Sequence, residues 1–400
     1  MTQRTITRLW LSFLVLMPFL GTAQPKIDVA KEFALAAQQY EKMLASHPDL
    51  TQFPQSMNAD GTPRNMQSSW WCSGFFGGSL WYLYEQTNDP KWKEAAHRWT
   101  MAVEKEQTNT RTHDLGFMLF CPFGNGLRLT GDTTYRRVLL TGANSLATRF
   151  DPKVGVIKSW EKFTSKDGVQ CAYPVIIDNM MNLELLYWAA KNGKDSRLAQ
   201  IATTHSDNTL KNHYRPDGSS YHVVCYGPNG EVEARKTHQG LADNSPWARG
   251  QAWGLYGYTT VYRLTQDRKY LQHAERIADF YLSHPNMPTD GIPYWDFAAK
   301  GEERDASAGA IAASGLLELS QYSKNGKRYQ QAAEKMLASL STPAYRNTLG
   351  ENHHFLLKHS VGHKPGKSEI DVPLVYADYY YLEGLLRYER MKTGKKLVFN

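Results

Sequence analysis

Two kinds of helix alternate along this sequence, and the alternation leaves few folds open to it. One kind is apolar around most of its circumference: FFGGSLWYLYEQ (75–86), FMLFCPFGNGLRL (117–129), NLELLYWAAK (182–191), AWGLYGYTTVYRL (252–264) and AIAASGLLELSQY (310–322). The other is amphipathic, with apolar residues at three- and four-residue spacing over 27–46, 94–107, 189–210 and 270–282. A helix apolar all round belongs inside a protein, and an amphipathic one at its surface.

A weak internal repeat punctuates the alternation. A short polar turn, often closed by an aromatic, precedes each amphipathic helix: TNDPKW (87–92), TGDTTY (130–135) and TQDRKY (265–270), with NGKRY (325–329) a shorter version and NGKD (192–195) a degraded one. Pairing the helix at 27–46 with one at 379–391 completes six pairs. Six inner–outer helical hairpins predict an all-α chain closed into an (α/α)6 toroid, residues 24–400 forming one barrel domain. An open solenoid of stacked hairpins is the competing arrangement. The connections from outer to inner helices (51–70, 108–114, 151–178, 211–248, 284–305 and 341–373) are long and aromatic, so they are expected to gather at one end. Strands are expected only locally, over 221–226 and 155–160.

Composition narrows the class. The chain has 400 residues, is 42% hydrophobic and carries 23 Tyr and 11 Trp, too much apolar material for a disordered chain. After residue 20 no apolar run approaches the roughly 20 residues needed to cross a bilayer. The first segment has a basic start (Arg4, Arg8), an apolar stretch over 9–20 and the small residues Gly21-Thr22-Ala23, which is the pattern of a secretory signal over residues 1–23. Its removal takes two Arg and no acid from the formal charge of +7. A periplasmic or secreted protein is expected, with no membrane attachment once the signal is cleaved. The remaining Lys and Arg interleave with Glu and Asp and form no stripe of the nucleic-acid-binding kind. Cys72, Cys121, Cys171 and Cys225 show no metal-ligand spacing, and a chain this long has core enough without cross-links; free, buried thiols are expected.

Two carboxylates stand where long loops enter apolar helices, Asp114 in THDLGF and Asp178 in YPVIIDNMMN. A helix N-cap is the competing role for each. Asp178 has apolar neighbours on both sides; desolvation raises a carboxyl's pKa and lets it hold a proton near neutrality, as a general acid must. Asn182, one turn on, is placed to orient it. A third cluster, THQG (237–240) followed by SPWARGQAWG (245–254), supplies Thr237, His238, Arg249 and Trp253. An Arg fork suits a carboxylate, and four-residue spacing puts Arg249 and Trp253 on one helix face. Trp70 and Trp71 stand at another inner-helix entrance. The late polar segment holding His353, His354, His359, Ser360, His363 and Lys364 matches no zinc motif and suits an anionic sugar better. Neither metal nor cofactor is expected.

THDLGF, IIDNMMNLELL, THQG, SPWARGQAWGLYGY, LLKHSVGHKP and DYYYLEGLLR together resemble the unsaturated glucuronyl hydrolases of glycoside hydrolase family 88, over nearly the whole chain after residue 23. The resemblance implies release of a terminal 4,5-unsaturated uronic acid from anionic oligosaccharides left by polysaccharide lyases, and so dependence on such lyases. It implies a proton donor at Asp178 and a second essential carboxylate at Asp114. Substrate contacts are implied at Thr237, His238, Arg249, Trp253 and Ser360, with His222, His113 and Trp71 as further contacts. An unsaturated rhamnogalacturonyl hydrolase of the same fold, a toroidal sugar 2-epimerase and a non-catalytic glycan-binding protein are the alternatives.

Overall fold

The computed structural model describes residues 27–397; the expected signal segment 1–23 lies outside the described residues. Twelve α-helices follow in order: α1 (Val29–Ser46), α2 (Ser73–Thr87), α3 (Pro90–Met101), α4 (Asn125–Thr130), α5 (Thr133–Ala147), α6 (Leu183–Gly193), α7 (Ser196–Asn212), α8 (Ala248–Thr265), α9 (Arg268–Ser283), α10 (Ala306–Leu319), α11 (Gly326–Leu340) and α12 (Val375–Lys392). A π-helical stretch, Gly116–Gly124, runs directly into α4, and the two act as one inner helix. Pro122 inside that stretch has no N–H to give to a regular helical ladder, which accounts for the widened turns.

The inner layer is α2, the 116–130 unit, α6, α8, α10 and α12. Every residue of α10 is buried, as is α8 from Ala248 to Val261 and α12 from Val375 to Arg387. Each inner helix packs on the next, and α12 packs back on α2, so the ring closes. Outside it lie α3, α5, α7, α9 and α11, while α1 packs against α2 and α12 and completes the sixth pair. The expected toroid is therefore present, and the open solenoid is excluded by the α12–α2 contact.

The repeated polar turn has a physical cause. α2, α4, α6 and α8 end on left-handed residues, Asn88 (φ 53°), Gly131 (φ 72°), Lys194 (φ 58°) and Gln266 (φ 59°). The next residue in each case is an aspartate, Asp89, Asp132, Asp195 or Asp267, whose carboxylate accepts the N–H two residues on and caps the following outer helix. Each such cap stabilises its helix by about 1 kcal/mol. The closing aromatics Trp92, Tyr135, Tyr270 and Tyr329 are buried and anchor the outer helices to the core. This turn also corrects the sequence reading over 189–210, where Lys194 and Asp195 split one apparent helix into α6 and α7. Likewise 94–107 is the end of α3 followed by a separate 3₁₀ turn, Glu104–Thr108.

The long loops do gather at the N-terminal end of the inner helices. There Tyr173–Ile176 pairs antiparallel with Val223–Tyr226, which pairs in turn with Val232–Lys236. This small sheet brings together residues far apart in sequence, and it overturns one expectation: Cys171 and Cys225 form a disulfide, their Cα atoms 5.4 Å apart. Cys72 and Cys121 are free and buried, as expected.

Candidate active site

Asp178 follows the strand Tyr173–Ile176 on a 3₁₀ turn, Ile177–Asn182, and Asp114 precedes the 116–124 stretch. Neither side chain caps its helix. Gly116 allows the two segments to meet: a Cβ there would lie 2.5 Å from the Cα of Asn182. Across this contact the Asn182 Oδ1 accepts the Phe117 N–H at 3.0 Å, and its side chain lowers the pKa of Asp114 and not that of the Asp178 it was expected to orient.

Burial dominates the electrostatics of both carboxyls. Asp178 is 8% exposed and its pKa is pushed up to about 7 by desolvation, against the pull of Arg249 and with a further push from Asp114. Desolvation also raises Asp114 to about 7, against the Thr112 hydroxyl, Arg149 and Asn182. Thr112 donates to the Asp114 Oδ2 at 3.0 Å, and His113 Nε2 lies 3.4 Å from its Oδ1. His113 is itself buried, which depresses its pKa to about 3 and keeps it neutral.

Arg249 sits in the first turn of α8, 1% exposed. Its guanidinium lies 4.5 Å from the Trp247 ring and 5.4 Å from that of Tyr376. Nη2 donates to the Gly362 carbonyl at 2.8 Å and Nη1 to that of Val361, while Nη1 also lies 3.4 Å from the Oδ2 of the buried Asp305. The fork expected to await a free carboxylate thus grips a late hairpin, 360–372, in which Ser360–His363 pairs antiparallel with Ser368–Val372, while its Nε has no hydrogen-bond partner among the described residues.

Trp253 shares a face with Arg249, as its spacing required, but it is 0% exposed and its ring packs on Phe117 at 5.1 Å and Tyr380 at 5.4 Å. It offers a wall edge and not an open stacking face. Trp71 is half-buried and leans on Tyr376 at 4.9 Å and Phe117 at 5.5 Å. His222 lies with its Nε2 3.8 Å from the Asp178 Oδ2. His238 is half-buried in a nest of rings, Trp160 at 5.3 Å and His363 at 4.3 Å, and burial takes its pKa down to about 4.

Two expected contacts are set back. Thr237 Oγ1 accepts the Gly240 N–H at 2.8 Å, shaping its own loop. Ser360 is 0% exposed and its Oγ accepts the Ser307 N–H at 3.1 Å, joining the late hairpin to the start of α10. Three residues given no role from the sequence enter the site. Trp160 packs edge-on against His222 and His238. Tyr376 lies between Trp71 and Arg249. Gln239 donates to the Gly362 carbonyl at 2.9 Å. A tryptophan closing the 155–160 segment and a tyrosine at the start of an inner helix were the available signals.

A cavity of about 800 Å³ at the other end of the ring, between Phe120, Trp188 and Arg263, contains neither carboxylate. At the mouth, buried polar atoms without a hydrogen-bond partner among the described residues include Asp178 Oδ2, His222 Nε2, Arg249 Nε and Trp253 Nε1. Each such atom costs roughly 1–3 kcal/mol when nothing meets it. His222, Arg249 and Trp253 all act on the Asp178 carboxyl.

A helical toroid with two neutral-range carboxyls at its mouth has the architecture of a carbohydrate-cleaving enzyme, and the comparisons narrow the class. No family model matches the chain. An unsaturated glucuronyl hydrolase from Formosa agariphila is 42% identical over 370 residues, 91% of each chain. An unsaturated chondroitin disaccharide hydrolase from Streptococcus agalactiae is 31% identical over 84% of this chain and 86% of its own. The crystal structure of an unsaturated glucuronyl hydrolase specific for heparin superposes with a TM-score of 0.87 at 48% identity, covering 91% of this chain and 98% of that one. The chain belongs to the unsaturated glucuronyl hydrolase family of glycoside hydrolases.

Proposed function

We propose that this enzyme hydrates the C4=C5 double bond of a terminal unsaturated uronic acid and thereby frees the sugar to which it is attached. The observation that carries the reading is the buried Asp178 carboxyl, its Oδ2 without a partner among the described residues and its pKa pushed up to about 7 by desolvation. The substrate is a vinyl ether, so the first bond formed is C4–H, with the proton from Asp178. Positive charge then develops at C5, shared with the ring oxygen and offset by the Asp114 carboxylate. Water adds at C5 as the Asp178 carboxylate takes its proton, which restores the acid. The resulting hemiketal opens to a C5 ketone, and the hemiacetal left at C1 expels the aglycone alcohol. No displacement at C1 occurs, so the rule that carboxylate spacing dictates stereochemistry does not apply, and Asp114 acts by orientation and charge rather than as a nucleophile.

The 48% identity with the heparin-specific enzyme supports heparin-derived disaccharides over chondroitin-derived ones as the preferred class, supplied by an upstream lyase. The signal pattern at 1–23 and the Cys171–Cys225 bridge both fit export to an oxidising compartment, periplasmic or extracellular. A panel of unsaturated disaccharides from heparin, chondroitin and pectin lyases tests the reading through loss of the ultraviolet absorbance of the conjugated double bond. Turnover of heparin products fastest is expected; turnover of pectin products alone would move the enzyme to the rhamnogalacturonyl class, and no turnover would favour a glycan-binding protein.

A further inference from the structure

His222 stands beside the general acid without a place in the cycle above. The strand Val223–Tyr226 begins one residue after it, and the ladder with Tyr173–Ile176 is prolonged by the Ile177 N–H, which donates to the His222 carbonyl at 3.1 Å. The two strands therefore deliver His222 and Asp178 side by side at the end of the sheet, and the Cys171–Cys225 bridge ties the same strands together.

The ring of His222 is 3% exposed, and its Nδ1 accepts two backbone N–H groups, those of His238 and Gln239, each at 3.1 Å. A ring nitrogen that accepts two donors cannot carry a hydrogen. The neutral imidazole must then bear its proton on Nε2, and the doubly protonated ring is closed to it. Arg249, His238, His363 and His213 surround it and, after burial itself, further disfavour a positive charge. The Nε2–H faces the Asp178 Oδ2 across 3.8 Å, and among the described residues neither atom has a hydrogen-bond partner.

We infer that His222 is a positioning residue, a neutral imidazole locked as the Nε2–H tautomer by the His238 and Gln239 amides, which aims the Asp178 carboxyl and steadies its anion between proton delivery to C4 and deprotonation of water. The separation is loose while Asp178 is protonated and closes when the carboxyl ionises and becomes the stronger acceptor. Arg249 and Trp253 from α8 and Asp114 from the neighbouring loop also face Asp178, but His222 is the group whose donor can be removed while its structural bonds are kept. The inference rests on Asp178 being the acid and base of the proposed reaction.

Asparagine and glutamine at this position separate the two ring nitrogens. His222→Asn keeps an acceptor for the two amides and loses the donor; His222→Gln reaches far enough to restore an N–H toward Asp178. On an unsaturated disaccharide, His222→Asn is expected to lower kcat by about 30- to 100-fold with KM within about threefold. The alkaline limb of kcat/KM should move up by about one pH unit, because a lost donor to the carboxylate raises its pKa. His222→Gln is expected to recover at least about tenfold of the lost kcat. A raised KM with kcat kept, an unmoved alkaline limb, or a glutamine variant no better than asparagine would overturn the inference. Histidine-selective ¹⁵N–¹H spectra of the unmodified enzyme give a reading without substitution: Nε2–H with a bare Nδ1 is expected, and the Nδ1–H tautomer overturns it. An active Asp178→Asn enzyme would sink the proposed function itself, whereas an inactive Asp178→Asn beside an unaffected His222→Asn would sink only the role of His222.

Discussion

The Arg249 Nη2 donates to the Gly362 carbonyl at 2.8 Å, so one residue at the start of α8 holds a hairpin that lies more than a hundred residues later in the chain. Val361 offers its carbonyl to the other arm of the same fork. Lysine keeps the charge but cannot serve both carbonyls at once. Arg249→Lys is therefore expected to give up one of the two charged bonds to the hairpin, cost about 2 kcal/mol of stability and loosen residues 360–372. Hydrogen exchange should show faster exchange confined to that hairpin, with kcat/KM down about 100-fold. Unchanged exchange there would show that the fork does not hold the hairpin.

Asp114 raises the pKa of Asp178 through its charge, and both carboxyls titrate near 7, so they lose protons as a coupled pair. Neutralising Asp114 removes that push. Asp114→Asn is expected to lower kcat about 100-fold, through lost stabilisation of the charge at C5, and to move the alkaline limb of kcat/KM to lower pH. The pH profile should also simplify from two coupled ionisations to one. A limb that moves upward would mean that the charge of Asp114 does not act on Asp178.

Burying Asp178 carries a stability signature. The unfolded chain releases this proton near pH 3.8 and the folded enzyme near 7, so the folded state binds it more tightly between those values. The stability it contributes is whole below about pH 4 and is lost as pH rises through about 7. Asp178→Asn should match the parent at pH 4 and exceed it at pH 8, by up to about 4 kcal/mol. Melting temperatures of both proteins at the two pH values measure this. A variant less stable than the parent at pH 8 would contradict the desolvated carboxyl.

The Cys171–Cys225 bridge closes a sequence separation of 54 residues around the loop that carries Asp178. Denatured but unreduced protein should titrate two thiols, from Cys72 and Cys121, and reduced protein four. Breaking the bridge by Cys225→Ser is expected to cost about 2–4 kcal/mol. Four reactive thiols without reductant would show that the bridge is absent in solution.

Much of this arrangement could be read from the chain. The alternation of helix types gave the closed ring, and the recurring polar turn proved to be a left-handed helix end followed by a capping aspartate at Asp89, Asp132, Asp195 and Asp267. Asp114 and Asp178 were visible because each sits where a polar loop meets an apolar helix. What sequence could not supply depended on contacts between distant segments. The disulfide follows from antiparallel pairing of 173–176 with 223–226, a register no local pattern announces. The carbonyl partners of Arg249, the turn of Asn182 toward Asp114 and the tautomer of His222 likewise belong to backbone groups brought in from other loops. Trp253 was expected to touch substrate, and packing from Phe117 and Tyr380 closes off its ring.

In the proposed cycle the buried Asp178 carboxyl gives its proton to a vinyl ether carbon. The most direct test follows a heparin-derived unsaturated disaccharide in heavy water by the loss of its ultraviolet absorbance, with the parent enzyme and with Asp178→Asn. The parent is predicted to consume the double bond and leave one deuterium at C4 of the product, while Asp178→Asn, folded and at least as stable at pH 8, leaves the absorbance intact. Absorbance loss by the Asp178→Asn enzyme, or a parent product without deuterium at C4, would contradict it.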